Sequence, residues 1–276
     1  MLVATVLFSI MQAMVKYLGH LSHYQLIIAR SVFSFAVCLF LIKRKGISPF
    51  GNDRTWLWLR GIFGVISLTC FFYAIHHMPL ASVITIVNIK PFLILIVAWI
   101  LIGEKTHPLR FIFFAISFCG IVLLKGFDER IEYISLIATI GAALFASLSH
   151  TIIRKLGKTE DSLVIIFYFP MVTIPIILPF MILNWVDPSL KDWIIMGAIA
   201  IVTHFAQVCL TKAYKYASVG NISNLYYLGI VFAFFIGYVF FDETYDEGGF
   251  IGLGLILAGI VLNLLFQKKS KEVQPS

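Results

Sequence analysis

Apolar positions along this chain gather into ten long runs: Leu2–Leu18, Tyr24–Ile42, Trp56–Ile75, Leu80–Ile102, Leu109–Leu124, Tyr133–Ile153, Leu163–Leu183, Trp193–Ala213, Ser218–Phe241 and Phe250–Phe266. Crossing the hydrocarbon of a bilayer takes roughly 20 mostly apolar residues in a helix. The runs are continuously apolar rather than alternating, and about twice as long as a barrel strand, so helices are the predicted form. Polar residues and helix stops break them, as in Gly46-Ile47-Ser48-Pro49 and Val186-Asp187-Pro188-Ser189. The loops are short and leave no room for a soluble domain. The fold class predicted is an all-α integral membrane protein with ten transmembrane helices.

Composition strengthens that reading. Hydrophobic residues make up 60% of the 276 and charged residues 13%, where soluble domains carry about a quarter charged. A net charge of +7 could suggest a nucleic-acid partner, but the basic residues form no continuous stripe interleaved with aromatics, and none is expected. Cys38, Cys70, Cys119 and Cys209 all lie inside apolar runs without a CxxC pair. They read as small hydrophobes, with neither a disulfide framework nor a metal site. The first run has no basic region before it, and Lys16 follows it, so it is read as a retained helix rather than a signal peptide.

The placement of lysine and arginine sets a topology. With the N-terminus inside, the cytoplasmic segments hold Lys43, Arg44, Lys45, Arg54, Lys105, Arg110, Arg154, Lys155, Lys158, Lys212, Lys215, Lys268, Lys269 and Lys271. The outer loops hold Lys125, Arg130 and Lys191, and the acidic outer loop Asp242–Glu247 carries no base. By the positive-inside rule both termini are cytoplasmic, which places the chain in a cell (inner) membrane as a multi-pass protein.

The sequence also repeats itself. At a shift of 139, Gly120-Ile121-Val122-Leu123 falls on the identical Gly259-Ile260-Val261-Leu262, Glu104 on Glu243 and Ala74 on Ala213. At a shift of 138, Val15-Lys16 faces Ile153-Arg154 and Leu18-Gly19 matches Leu156-Gly157. Two five-helix halves follow, residues 1–126 and 132–268, with a cytoplasmic tail at 269–276. Five is odd, so the second half enters the membrane inverted, an arrangement used by transporters with a binding site near the midplane.

Several short motifs recur in a recognisable order. Met14-Val15-Lys16-Tyr17-Leu18-Gly19 precedes Gln25-Leu26-Ile27-Ile28-Ala29-Arg30; Phe72-Tyr73-Ala74 leads to Pro79-Leu80-Ala81, then Pro91, Gly103-Glu104 and Gly120-Ile121-Val122-Leu123. In this the whole chain resembles the EamA-type proteins of the drug/metabolite transporter superfamily. The resemblance implies ten helices in two inverted repeats, a central cavity and transport of a small metabolite or drug, with substrate and direction open. One departure is Gly229-Ile230 in the second half, where the first has Lys90-Pro91.

Candidate site residues are polar positions inside the runs. Lys90 lies about 15 Å from the ends of Leu80–Ile102 at 1.5 Å per residue. A central charge there costs roughly 2.5–3.5 kcal/mol. Its partner is either an anionic group of a substrate or the residue 87 carbonyl that Pro91 frees. Arg30, with Ser34 at i+4, reads as a snorkelling structural residue or a cavity residue. Gln12 is deep enough to face the bundle, whereas Lys16 on the same face snorkels outward. His204, Gln207 and Thr211 make one polar stripe, either an interhelical seam or a cavity wall. Asn224 with Asn221, and Asn88 with Thr85, pose the same choice. His76-His77 and His150 read as interfacial. Pro170, Pro175 and Pro179 should kink the seventh run.

Every acidic residue lies in a loop or at a helix end, so no carboxylate relay for protons is embedded. No nucleophile, base or metal-ligand spacing supports a membrane enzyme, and no catalytic residue or cofactor is expected. The predicted function is a secondary transporter, an exporter or exchanger, moving a small polar metabolite with an anionic group by alternating access. Lys90, His204, Gln207, Asn224, Asn88, Gln12 and Arg30 are the predicted substrate-binding set. The expected partners are that metabolite and the lipid bilayer. The alternatives are an importer of a nucleoside-like or vitamin metabolite, and a non-transporting membrane subunit.

Overall fold

The computed structural model describes residues 1–102, 131–216 and 228–243 continuously, and separate positions within 109–123 and 250–266. The described residues are helical throughout, apart from turns and short loops. In order they form α1 (Leu2–Tyr17), α2 (His23–Lys45), α3 (Arg54–His77), α4 (Leu80–Val87), α5 (Lys90–Ile102), α6 (Tyr133–Leu156), α7 (Ser162–Leu183), α8 (Leu190–Tyr216) and α9 (Leu228–Phe241). Helical residues also occur within 109–123 and 250–266. Five of these helices, α2, α3, α6, α7 and α8, are long and apolar enough to cross a membrane. Most of the fifth predicted run, the start of the ninth and the tail lie outside the described residues.

Local chemistry explains where the helices stop. The Ser22 N–H donates to Gln25 Oε1 at 3.3 Å, closing the start of α2 on itself. That helix runs to Lys45, past its predicted end, because Lys43, Arg44 and Lys45 suit the negative end of the helix dipole. Gly46, at φ +65°, then supplies the left-handed residue that ends it. Asp161 caps α7 by accepting from the Leu163 N–H at 2.8 Å. Although α7 contains Pro170, Pro175 and Pro179, it continues as one helix from Ser162 to Leu183.

The predicted single helix Leu80–Ile102 is interrupted. A turn at Asn88-Ile89 separates α4 from α5, so Lys90 is the first residue of a helix rather than the middle of one. Two features favour the break. Asn88 Nδ2 donates to the Ile84 carbonyl at 2.6 Å, competing for helical backbone bonding. Proline at 91 has no N–H for the preceding turn.

Two apolar clusters hold the bundle together, one at each end. The first takes Leu18 from the end of α1, Leu26 from the start of α2, Ile75 from the end of α3 and Leu80 from the start of α4. The second takes Ala4, Ile42, Leu57, Leu156, Val164 and Tyr214 from the opposite ends of their helices. Helices α1 to α4 thus run in alternating directions, as do α6, α7 and α8. The main lateral contacts are α3 against α6 and α2 against α7, which interleave the two halves of the chain. Small residues let α3 approach α7 as well: Cβ atoms at Gly61 and Gly64 would sit 2.6 Å from Val172 Cγ2 and 2.7 Å from Phe169 Cδ2. Outside, large apolar side chains such as Phe40, Leu183, Ile194 and Phe205 are exposed, as expected of a surface that meets lipid.

Two buried carboxylates tie the ends. Glu160 accepts from the Asn52 and Asp53 N–H groups at 2.6 and 2.7 Å. Glu243 accepts from the Leu80 N–H at 2.7 Å and faces Lys16 Nζ at 3.7 Å. Lys16 also donates to the Met78 carbonyl. Lys16, expected to snorkel outward, thus meets Glu243 of the acidic segment at the end of α1. The ion pair and the hydrogen bond to the Met78 carbonyl together hold the ammonium in place.

Candidate functional site

Between the two apolar clusters lies a cavity enclosing about 1050 Å³, counting its open side. Its polar wall draws on seven helices and the break between α4 and α5. Thr5, Ser9 and Gln12 come from α1, Arg30 from α2, Arg60 and Ser67 from α3, and Asn88 and Lys90 from the α4–α5 break. Ser149 and His150 come from α6, Phe169 from α7, Gln207 from α8, and Gly229 of α9 completes it. Phe169 brings α7 into the wall, a helix for which no site residue was expected.

Backbone and serine contacts hold the wall in place. Ser67 Oγ donates to the Ala142 carbonyl at 2.8 Å, and Ser149 Oγ to the Arg60 carbonyl at 3.2 Å, both bridging α3 and α6. Ser147 Oγ donates to the Lys90 carbonyl at 3.2 Å, fixing the start of α5 on α6. Buried hydroxyls facing main-chain carbonyls are the usual interhelical glue in an apolar medium.

The charge in the cavity is of one sign. Arg30, Arg60 and Lys90 all line it, and no Asp or Glu does among the described residues. Arg30 and Arg60 are 6% and 2% exposed. Both guanidiniums lie over the ring of Phe169, at 5.6 and 4.8 Å from its centre, and Arg30 is also 5.8 Å from the Phe72 ring. Aromatic faces attract such cations by about 0.5–2 kcal/mol but accept no conventional hydrogen bond. Arg60 Nε and Nη1 are buried without an acceptor among the described residues.

Five of the predicted residues, Gln12, Arg30, Asn88, Lys90 and Gln207, meet in this one cavity. His204 lines a smaller adjoining pocket with Arg30, Ser34 and Gln207, and its Nδ1 lies 3.0 Å from Ser34 Oγ. Thr211 is buried away from both pockets and its Oγ1 has no hydrogen-bond partner among the described residues, so the polar stripe of α8 lines the pockets over only part of its length. Asn224 falls outside the described residues. His150, expected at the interface, lines the cavity instead, with its Nδ1 3.2 Å from Tyr214 Oη of α8.

Arg60 and Phe169 were missed. For Arg60 a signal existed: of the 21 lysines and arginines, those assigned to loops leave Lys16, Arg30, Arg60 and Lys90 inside apolar runs. For Phe169, one of 26 phenylalanines, there was none.

The model of the EamA-like transporter family matches residues 1–125 and 133–265. The chain belongs to the EamA-like transporter family. Family membership makes it a membrane transporter and not an enzyme, and the apolar helices make it a multi-pass protein. Among its relatives is the pseudopaline exporter CntI of Pseudomonas aeruginosa, 27% identical over 94% of this chain and 92% of the relative. The S-adenosylmethionine uptake transporter of Rickettsia prowazekii is 25% identical over 98% and 92%. Human solute carrier family 35 member G1 is 27% identical over 88% and 72%. A crystal structure, 19% identical over 98% of this chain and 96% of its own, superimposes with a TM-score of 0.72. At that identity the likeness speaks for the fold alone.

Proposed function

We propose that this EamA-family chain is a secondary transporter that moves a small polar metabolite bearing an anionic group by alternating access. The observation that carries the reading is the cavity wall: Arg30, Arg60 and Lys90 with no lining carboxylate among the described residues. Cations at membrane depth are costly. An anionic cargo offsets that cost on binding, and the charge supplies selectivity.

The proposed frame is ten transmembrane helices in two inverted five-helix repeats, residues 1–126 and 132–268, with a cytoplasmic tail at 269–276. The 138–139 residue self-similarity supports it, and the excess of basic residues on one side supports cytoplasmic termini in the inner membrane. The binding set is Gln12, Arg30, Asn88, Lys90, His204 and Gln207, with Asn224 expected to join it. Export or exchange is the favoured direction, in keeping with the exporter among the relatives. The uptake relative keeps import as a second reading.

The test compares metabolites in the medium of cells with and without the gene, and of cells carrying Lys90→Gln. Accumulation outside of one or more organic anions, lost in the variant, is the expected result. Release of only neutral or cationic solutes would remove the anionic reading; depletion of anions from the medium would reverse the direction.

A further inference from the structure

We propose that Arg30 and Arg60, set on the common ring of Phe169, form a two-point clamp for a small dianion. The cargo class is a molecule carrying two anionic oxyacid groups, carboxylate or phosphoryl. This rests on the anionic reading above and narrows it.

Two guanidiniums in one apolar cavity repel each other, and folding alone gives no reason to place them together. Yet α2 and α3 each bring one to the ring of Phe169, at 5.6 and 4.8 Å from its centre. They therefore lie no farther apart than the sum of those two distances, within the span of a short diacid. Neither makes an ion pair with an acidic residue among the described residues. Another cation of the first half is treated differently: Lys16 is matched by Glu243 and the Met78 carbonyl.

The ring cannot stand in for an anion. It steadies both cations by its face but leaves their N–H groups without acceptors, and Arg60 Nε and Nη1 stay sealed and unsatisfied. A buried donor in that state is expensive, and an arginine is more so because it does not give up its proton. Guanidinium forks match carboxylate and phosphoryl oxygens two at a time. A second charged group on the cargo brings a second such contact, so a dianion gains over a monoanion of the same skeleton.

The backbone prepares the clamp. Gly64, one turn after Arg60, lets Phe169 approach: a Cβ there would lie 2.7 Å from Phe169 Cδ2 and 3.4 Å from Arg60 Nη1. Ser149 Oγ holds the Arg60 carbonyl from α6. Ring, glycine and arginine come from two helices that meet only in the folded bundle.

The experiment uses purified full-length protein in detergent, with thermal stabilisation as the readout of binding. The probes are succinate, citrate and 3-phosphoglycerate, against monomethyl succinate and dimethyl succinate. Succinate should stabilise at a concentration at least about tenfold below its half ester, equivalent to one further charge-assisted contact, and the diester should not bind. Arg30→Gln and Arg60→Gln should each erase the preference for succinate over its half ester, while Arg60→Lys retains part of it. Far-UV circular dichroism and gel filtration confirm that each variant is folded; for any that is not, Arg60→Lys in place of the glutamine variant carries the comparison. Equal binding of succinate and its half ester, with the two others no better, overturns the clamp and leaves an anionic cargo standing. Failure of every anionic probe to bind overturns both.

Discussion

Lys16 Nζ on α1 lies 3.7 Å from Oε1 of Glu243, two residues beyond the end of α9. The same carboxylate accepts from the first N–H groups of α4, Leu80 at 2.7 Å and Ala81 at 3.4 Å. One side chain so joins three helices on one side of the cavity. The close fit depends on Gly237, whose Cβ would sit 2.5 Å from Glu243 Oε2, and on Asp242 at φ +50°, which turns the chain back.

Glu243→Ala leaves a half-buried lysine without its counter-charge and strips an acceptor from two helix-start amides. The expected cost is about 1–3 kcal/mol, seen as a lower melting temperature in detergent by tryptophan fluorescence. Lys16→Met, which keeps the caps, should cost less. An unchanged melting temperature for Glu243→Ala would show that the cluster holds nothing together.

At the opposite end, Glu160→Ala strips the acceptor from the Asn52 and Asp53 N–H groups. Gly51→Ala adds a Cβ 2.5 Å from Leu57 Cδ1, at a φ of +61° that L-residues rarely adopt. We expect each to destabilise by about 1–2 kcal/mol. Their double variant should lose less than the two losses together, because both act on one contact. Strict additivity in thermal unfolding would count against a shared role.

Gly61→Ala puts a methyl 2.6 Å from Val172 Cγ2 and 3.2 Å from the Tyr168 carbonyl. Because backbone cannot give way as a flexible side chain can, α3 and α7 must part, at a cost of about 1–3 kcal/mol. Gly64→Ala comes closest to the ring of Phe169 and Arg60 Nη1. Its stability loss should be smaller and its loss of anion transport larger. Measuring both properties for both variants separates the packing role from the site role, and the reverse ranking would contradict the assignment.

Ser34→Ala removes the hydroxyl beside His204 Nδ1. A lost interhelical hydrogen bond should cost about 1 kcal/mol. If His204 contacts the cargo, freeing its ring should also raise KM for transport in liposomes. An unaltered KM alongside lower stability would leave the histidine as seam alone.

Reporter fusions at each end of the chain test the topology. Both ends should report from the cytoplasm, given where the basic loops fall. Opposite locations would rule out an even number of spans and with it the inverted duplication.

Much of the architecture can be read from residue order, because lipid imposes it. An apolar run of sufficient length has to become a helix, since no water is present to satisfy a bare backbone. The runs that became α2, α3, α6, α7 and α8 were therefore legible, to within a few residues at the ends. The break at Asn88-Ile89 was only half legible: Pro91 marked a weak point, but whether a helix bends or divides there depends on what packs around it.

The cavity was legible only as a list of suspects. Lys16, Arg30, Arg60 and Lys90 are all cations inside apolar runs, and nothing in one dimension ranks them. Packing sorted them. Lys16 found Glu243, far along the chain, whereas Arg30 and Arg60 met at a phenylalanine ring that a third helix supplies. Hydropathy records how much each residue dislikes water, a property of the residue. Which cation finds a carboxylate and which settles on an aromatic ring is a property of neighbours, set when helices distant in sequence come within side-chain reach.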